Sequence, residues 1–301
     1  MTNPSSRLSN SAWLRWIGRA CWGLVVVLLV VELGARTYLP SLAWLDVLTA
    51  HQDGYVARPS WRGAYQGVTP GAALDVDFTT DPRGHRSSAP VASAQWVTTG
   101  SSTTFGLGVK DTQVWPAILA KLSSKPAANL GLPGLDINMA IGALNEHCSE
   151  LRGKNVLVAI QRDDLARTPA AAWLSVRSGL AKYSEAIAWW RLAQVPKGKE
   201  IIDHPEHQID IEAALSKMAQ MFAGCGAHGY IVQLDPFGPD PEQHELRQRI
   251  EQQGIGWIDL TALMVKLRRP GAPSLLAHDF QLSEQGQQAL AQAIWRQFSG
   301  G

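Results

Sequence analysis

Hydroxyl side chains crowd one short stretch: Gly100 is followed by Ser101, Ser102, Thr103 and Thr104, then by Phe105, Gly106, Leu107 and Gly108. A serine hydroxyl is a weak nucleophile that needs an adjacent base. A Ser/Thr-rich turn also caps a helix, and at a helix N-terminus it can cradle a phosphate. The phosphate reading has neither a P-loop lysine nor a dinucleotide glycine fingerprint to support it. His204 and His207, beside Asp203 and Glu206, are metal-ligand types. No third ligand stands at convincing spacing, so they read as a solvated loop and no metal or cofactor is expected. Cys21, Cys148 and Cys225 have no ligand-like spacing. They are expected as free thiols, with a Cys148–Cys225 pair as the alternative in an oxidising compartment.

The hydroxyl stretch needs elements to hold it. Trp96 and Val97 lead into it, and Trp115, Ile118 and Leu119 follow at helical spacing, the pattern of a strand, a tight turn and a helix. From residue 94 onward this alternation repeats. Short apolar runs bounded by turn residues predict strands at 95–100, 127–131, 154–161, 228–234 and 256–260. Helical periodicity predicts helices at about 112–122, 136–150, 171–194, 209–224, 240–253 and 283–298. Five such units imply an α/β fold, a three-layer α/β/α sandwich around a five-stranded parallel sheet. Chemistry in such sheets sits at the carboxyl ends of the strands.

The N-terminal part differs. Residues 1–12 are polar and expected to be a disordered tail. Residues 13–36 hold an uncharged core between Arg19 and Glu32, extended by flanking apolar residues to the length of a transmembrane helix. No good small-x-small cleavage site follows Val31, which favours an uncleaved anchor over a signal peptide. Arg7, Arg15 and Arg19 precede it, against Arg36 just after. That bias predicts a single-pass protein of the inner (cytoplasmic) membrane, its N-terminus cytoplasmic and its C-terminal domain periplasmic or extracellular. Residues 37–93 read as a lead-in packed on the domain at 94–301. A net charge of +1 gives no case for nucleic acid.

The run from Gly100 to Val109 resembles the first conserved block of the SGNH or GDSL hydrolases, whose Gly-Asp-Ser serine is the nucleophile; anchored members continue Phe-Thr-Phe-Gly-x-Gly-Val. The resemblance places Ser102 at the nucleophile and Ser101 at the aspartate, and implies a flavodoxin-like sheet. Upstream, Asp81-Pro-Arg-Gly-His-Arg86 is similar to the Asp-x-x-Gly-Phe-Arg segment of anchored members. Asn129-Leu-Gly-Leu-Pro-Gly134 looks like the second block, making Gly134 an oxyanion donor through its backbone N–H. In the third block, Gly-x-Asn-Asp, Gln161 stands at the glycine, Asp163 at the oxyanion asparagine, and Asp164 matches the final Asp. A carboxylate opposes a developing oxyanion, unless a dry site keeps it protonated.

The last block, Asp-x-x-His before a helix beginning Leu-Ser-x-x-Gly, is matched by His278-Asp-Phe-Gln281-Leu-Ser-Glu-Gln-Gly286. Gln281 therefore occupies the histidine position and His278 that of the aspartate. Glutamine cannot accept the serine proton, which leaves His278 as a displaced base with Asp279 to orient it. The resemblance covers residues 81–298. It implies a serine esterase or acyl transferase acting on acylated envelope or extracellular polysaccharide or lipid, weakened by these replacements. The alternative is an inactive SGNH domain that serves as a glycan-binding or assembly subunit among other envelope polysaccharide proteins.

Overall fold

A computed structural model of the chain describes residues 7–39, 41–51, 54–67, 74–86, 88–167, 170–195, 208–235, 241–276 and 281–300. The first long element is helix α1 (Arg7–Tyr38). It begins inside the stretch expected to be a disordered tail, because residues 7–12 hold no Gly or Pro to stop a helix extending back from the apolar run. Its segment Trp13–Tyr38 is 26 residues, long and apolar enough to cross a membrane.

Residues expected only as an irregular lead-in form two antiparallel hairpins. They are β1 (Leu48–His51) with β2 (Gly54–Ala57), and β3 (Arg62–Gly67) with β4 (Leu74–Thr79). Tyr55, Ala57, Tyr65 and Phe78 from these hairpins are buried in the same cluster as Val97 and Val158 of the main sheet.

That sheet consists of β5 (Trp96–Gly100), β6 (Ala127–Asn129), β7 (Asn155–Ile160), β8 (His228–Gln233) and β9 (Gly256–Asp259). All its pairings are parallel, in the order β6-β5-β7-β8-β9, the doubly wound order of flavodoxin-like folds. The pleat divides the core. Val156, Val158 and Ile160 of β7 face one side, while Leu157 and Ala159 face the other. The first side is covered by α4 (Ile137–Glu146), α6 (Glu185–Leu192) and α7 (Ile211–Cys225), through Ile141, Ala188 and Met218. The second is covered by α3 (Trp115–Ser123), α9 (Thr261–Leu267) and α10 (Glu284–Ser299), through Leu119, Met264 and Leu290. The short α2 (Ser102–Phe105) lies between β5 and α3, α5 (Ala170–Val176) precedes α6, and α8 (Pro241–Gln252) precedes β9.

Two helical expectations change. The region 171–194 is not one helix: α5 ends at Val176, a short 3-10 turn (Gly179–Lys182) follows, and α6 starts only after the Ser184 cap. Gly179, at φ 54°, makes the break. Helix α9 was not expected, because Leu260 at its N-cap gives no start signal.

The cysteine expectation is also corrected. Cys148 and Cys225 form a disulfide, with Cα atoms 5.0 Å apart across 77 residues of sequence. Cys148 follows α4 and Cys225 ends α7, two helices packed on the same face of the sheet. His204, His207, Asp203 and Glu206 lie outside the described residues, as do His278 and Asp279.

Candidate active site

The turn after β5 is shaped first by what cannot be there. Gly100 has φ 147°, and a Cβ on it would come within 2.5 Å of the Ala159 carbonyl and 2.6 Å of Thr104 Oγ1. Only glycine lets this turn lie so close to β7. Helix α2 then begins at Ser102, which is half-buried beyond the carboxyl end of the strand.

Ser101 stands at the N-cap of α2, yet its side chain does not cap the helix. Its Oγ donates to Asp164 Oδ2 at 3.2 Å and accepts from Gln161 Nε2 at 3.1 Å. Asp164 Oδ2 also accepts the Gln161 backbone N–H at 2.8 Å. Ser101 and Gln161, both departures from the family pattern, are therefore partners in one network with Asp164. Asp164 is buried, and burial pushes its carboxyl up to about 7, with the charges of Asp163 and Asp136 adding and the bonds from Gln161 and Ser101 opposing.

Gln281 meets the serine. Its Nε2 donates to Ser102 Oγ at 3.3 Å. The terminal helix fixes this contact. Leu282 is fully buried, and Ser283 caps α10 by accepting the Gly286 N–H at 3.4 Å while donating to the Pro273 carbonyl at 2.7 Å. Gly286 is needed because a Cβ there would lie 2.4 Å from the Ser274 carbonyl. Gln287, one position on, binds the Thr103 carbonyl and the Trp115 N–H at 3.2 and 2.9 Å. The Leu-Ser-x-x-Gly landmark is thus the clamp that sets residue 281 against residue 102.

The other candidates have different neighbours. Gly134, at φ 71°, lies under Tyr55, since a Cβ there would be 2.5 Å from the Tyr55 hydroxyl. That hydroxyl donates to the Pro133 carbonyl at 2.7 Å, and burial drives its pKa up. Asp163 lies in the 3-10 turn Arg162–Leu165 after β7. Burial and the Asp235 charge push its carboxyl up, while Arg162 and Arg268 oppose them. The side chain nevertheless reaches water, which weakens such shifts. The carboxyl held in a dry setting is Asp164.

Sequence reasoning passed over two positioning residues. Asn129 is fully buried; its Nδ2 donates to the Thr104 carbonyl at 2.8 Å and its Oδ1 accepts from the Gly131 N–H at 2.9 Å, joining the β6 loop to α2. Arg86 is fully buried and binds the carbonyls of Phe105, Gly106 and Val109 at 2.9, 2.9 and 2.6 Å and Asp111 at 2.5 Å. Its guanidinium lies over the rings of Phe78 and Phe105. Both belong to motifs visible in the sequence, where they read only as turn residues. Tyr55 belongs to no motif and had no signal.

Chemically, the arrangement presents a serine hydroxyl at the end of a parallel strand, fixed by an amide that donates rather than accepts. Such a serine can receive a polar ligand, but Gln281 cannot take its proton.

No protein-family model matches the chain, and no curated protein matches it. Solved structures with similar folds include a protein ascribed to the lipolytic G-D-S-L family from Desulfitobacterium hafniense, 12% identical over 67% of this chain and 98% of that one, with a TM-score of 0.40. An acetylxylan esterase from Geobacillus stearothermophilus is 15% identical over 68% and 94%, with a TM-score of 0.41. A carbohydrate esterase family 2 enzyme of Corynascus thermopiles (Myceliophthora fergusii) is 11% identical over 77% and 74%, with a TM-score of 0.40.

Proposed function

We propose that this chain is a membrane-anchored SGNH-type domain that receives an acylated envelope glycan or lipid at Ser102 without hydrolysing it. The observation that carries this is the Gln281 amide on Ser102 Oγ. It occupies the place where the family resemblance calls for a histidine base. The amide leaves the serine hydroxyl protonated and oriented, which suits a glycan-binding or assembly subunit of an envelope complex.

In this reading residues 13–36 are the anchor, residues 37–93 a lead-in packed on the domain and residues 94–301 the domain itself. The Cys148–Cys225 disulfide supports a domain on the oxidising, periplasmic or extracellular side. The arginine bias around α1 supports a cytoplasmic N-terminus in the inner membrane. Other envelope polysaccharide proteins are the proposed partners.

The second reading is a working esterase or acyl transferase on the same substrates. It is favoured by one fact: Gln281 meets Ser102, and His278 precedes Gln281 by three residues in the sequence. Ser102 would attack the acyl carbonyl, His278 would take its proton, oriented by Asp279, and the backbone N–H groups of Ser102 and Gly134 would hold the oxyanion. Asp163 would stand where the family has its amide donor.

Calorimetric titration with acetylated oligosaccharides, alongside turnover of a short-chain aryl ester, separates the two. Binding that weakens in Gln281→Ala, with turnover equal in wild type and Ser102→Ala, is expected. Turnover lost in both Ser102→Ala and His278→Ala would establish the second reading instead.

A further inference from the structure

The C-terminal part of helix α1 is hydrogen-bonded to the domain. Glu32 stands immediately after the apolar run that ends at Val31. Its carboxylate accepts from Ser184 Oγ at 2.7 Å and from the backbone N–H groups of Glu185 and Ala186 at 3.0 and 3.2 Å. These groups form the first turn of α6, where the helix dipole also favours a carboxylate. Arg36 binds Glu32 at 2.7 Å and donates to the Tyr183 carbonyl at 2.8 Å. Glu185 in turn accepts the Leu42 N–H at 3.1 Å and pairs with Arg177 at 3.0 Å. The exit of α1 is therefore clamped to α6 and the turn before it.

The clamp sets the height of the domain above a bilayer. An α-helix rises about 1.5 Å per residue, so Trp13 to Glu32 spans about 28 Å, close to the ~30 Å of a hydrocarbon core. The contact between Glu32 and Ser184 then lies at the surface of the bilayer. That is where the domain exposes its apolar side chains. Off α1 and its following Leu39, the strongly exposed large hydrophobic residues among the described ones are Leu180, Tyr183 and Trp190, at 74, 75 and 65%. The next, Leu122, is 37% exposed. Tyr183 is the residue whose carbonyl Arg36 holds, Leu180 lies in the 3-10 turn just before it, and Trp190 is on α6 itself. Tyr and Trp are the residues of membrane interfaces, one end apolar and the other wet. Lys182, between Leu180 and Tyr183, adds a cation of the kind that anionic headgroups attract.

We propose that the segment from Gly179 to Leu192 is a membrane-apposed face, with Leu180, Tyr183 and Trp190 seated in the headgroup layer of a phospholipid bilayer. The lipid surface, together with the Glu32 clamp, fixes the orientation of the domain. The proposal rests on the reading of α1 as an anchor. It explains why three large apolar side chains are left uncovered beside the helix exit, where burial in a protein core would otherwise be expected.

The test uses the full chain, with Cys21→Ser, in vesicles of phosphatidylcholine and phosphatidylglycerol. A nitroxide is attached at Leu180→Cys, at Leu122→Cys on α3 in the opposite layer, or at Leu28→Cys inside α1. Collision with oxygen and with an aqueous nickel chelate is then measured. Expected is a label at residue 180 that meets oxygen more and nickel several-fold less than the label at residue 122. Protein burial would lower both collision rates, so this signature is specific to lipid. A deep label at residue 28 with a fully aqueous one at residue 180 would overturn the membrane face and leave the anchor standing. An aqueous label at residue 28 would refute the anchor, and the face with it.

Discussion

At the scale of residues, the site turns on which side chain meets which. Gln281 reaches Ser102, and Ser101 reaches Asp164 and Gln161. The replacements were legible one by one in the sequence, but their mutual contacts were not, because they join a turn after β5 to a turn after β7. Asp164 gives a pH prediction. Burial pushes its folded pKa up to about 7, from the ordinary aspartate value of 3.8. The folded state therefore binds more protons between these values, and the contribution of Asp164 to stability is present at low pH and lost as pH rises through about 7. Asp164→Asn should gain stability relative to wild type as pH is raised from 4 to 8, by an amount on the order of a few kcal/mol; parallel denaturation curves across that range would contradict this. His85 works in the opposite sense. Its pKa, lowered from 6.5 to about 4 chiefly by burial, makes a contribution present above 6.5 and lost as pH falls through about 4. Of these two groups only Asp164 still changes above pH 6.5, and below it they compete, so the variant should be compared with wild type at each pH.

At the scale of elements, the sheet was the legible part. Val156, Val158 and Ile160 alternate with Leu157 and Ala159, and a run apolar on both faces and bounded by turn residues reads as a buried parallel strand. The hairpins before it were not legible. Tyr55, Tyr65 and Phe78 are buried, but the Gly, Pro and polar residues between them mask the alternation that pairing requires. The seven-residue α9 and the break at Gly179 were missed because short helices and 3-10 turns carry little periodic signal. Arg86 ties these regions together, linking the segment after β4 to the loop after α2. Arg86→Ala would leave three carbonyls and Asp111 without their buried donor. A loss of about 3–5 kcal/mol is expected in urea denaturation; a loss below about 1 kcal/mol would mean that water replaces the guanidinium.

At the scale of the whole molecule, the disulfide and the α1 clamp decide how the fold is held and where it stands. Neither pairing could be read from spacing, since both join residues far apart in sequence. The Cys148–Cys225 bond closes a loop spanning 77 residues. Chain entropy assigns such a loop about 4 kcal/mol of stabilisation. Replacing both cysteines with serine should lower the denaturation free energy by that order, and reductant should do the same to wild type while leaving the variant unchanged. Equal stability with and without reductant would show that the bridge contributes nothing.

The central claim is that Ser102 is a held hydroxyl rather than an activated nucleophile. Its most direct test is the rate at which a fluorophosphonate probe labels the full chain, compared among wild type, Ser102→Ala and Gln281→His. The account predicts no Ser102-dependent labelling of wild type. In Gln281→His, where a base stands within reach of Ser102, it predicts labelling faster by on the order of 100-fold. Rapid labelling of wild type that disappears in Ser102→Ala would contradict it, placing a working base beside the serine and making this chain an esterase.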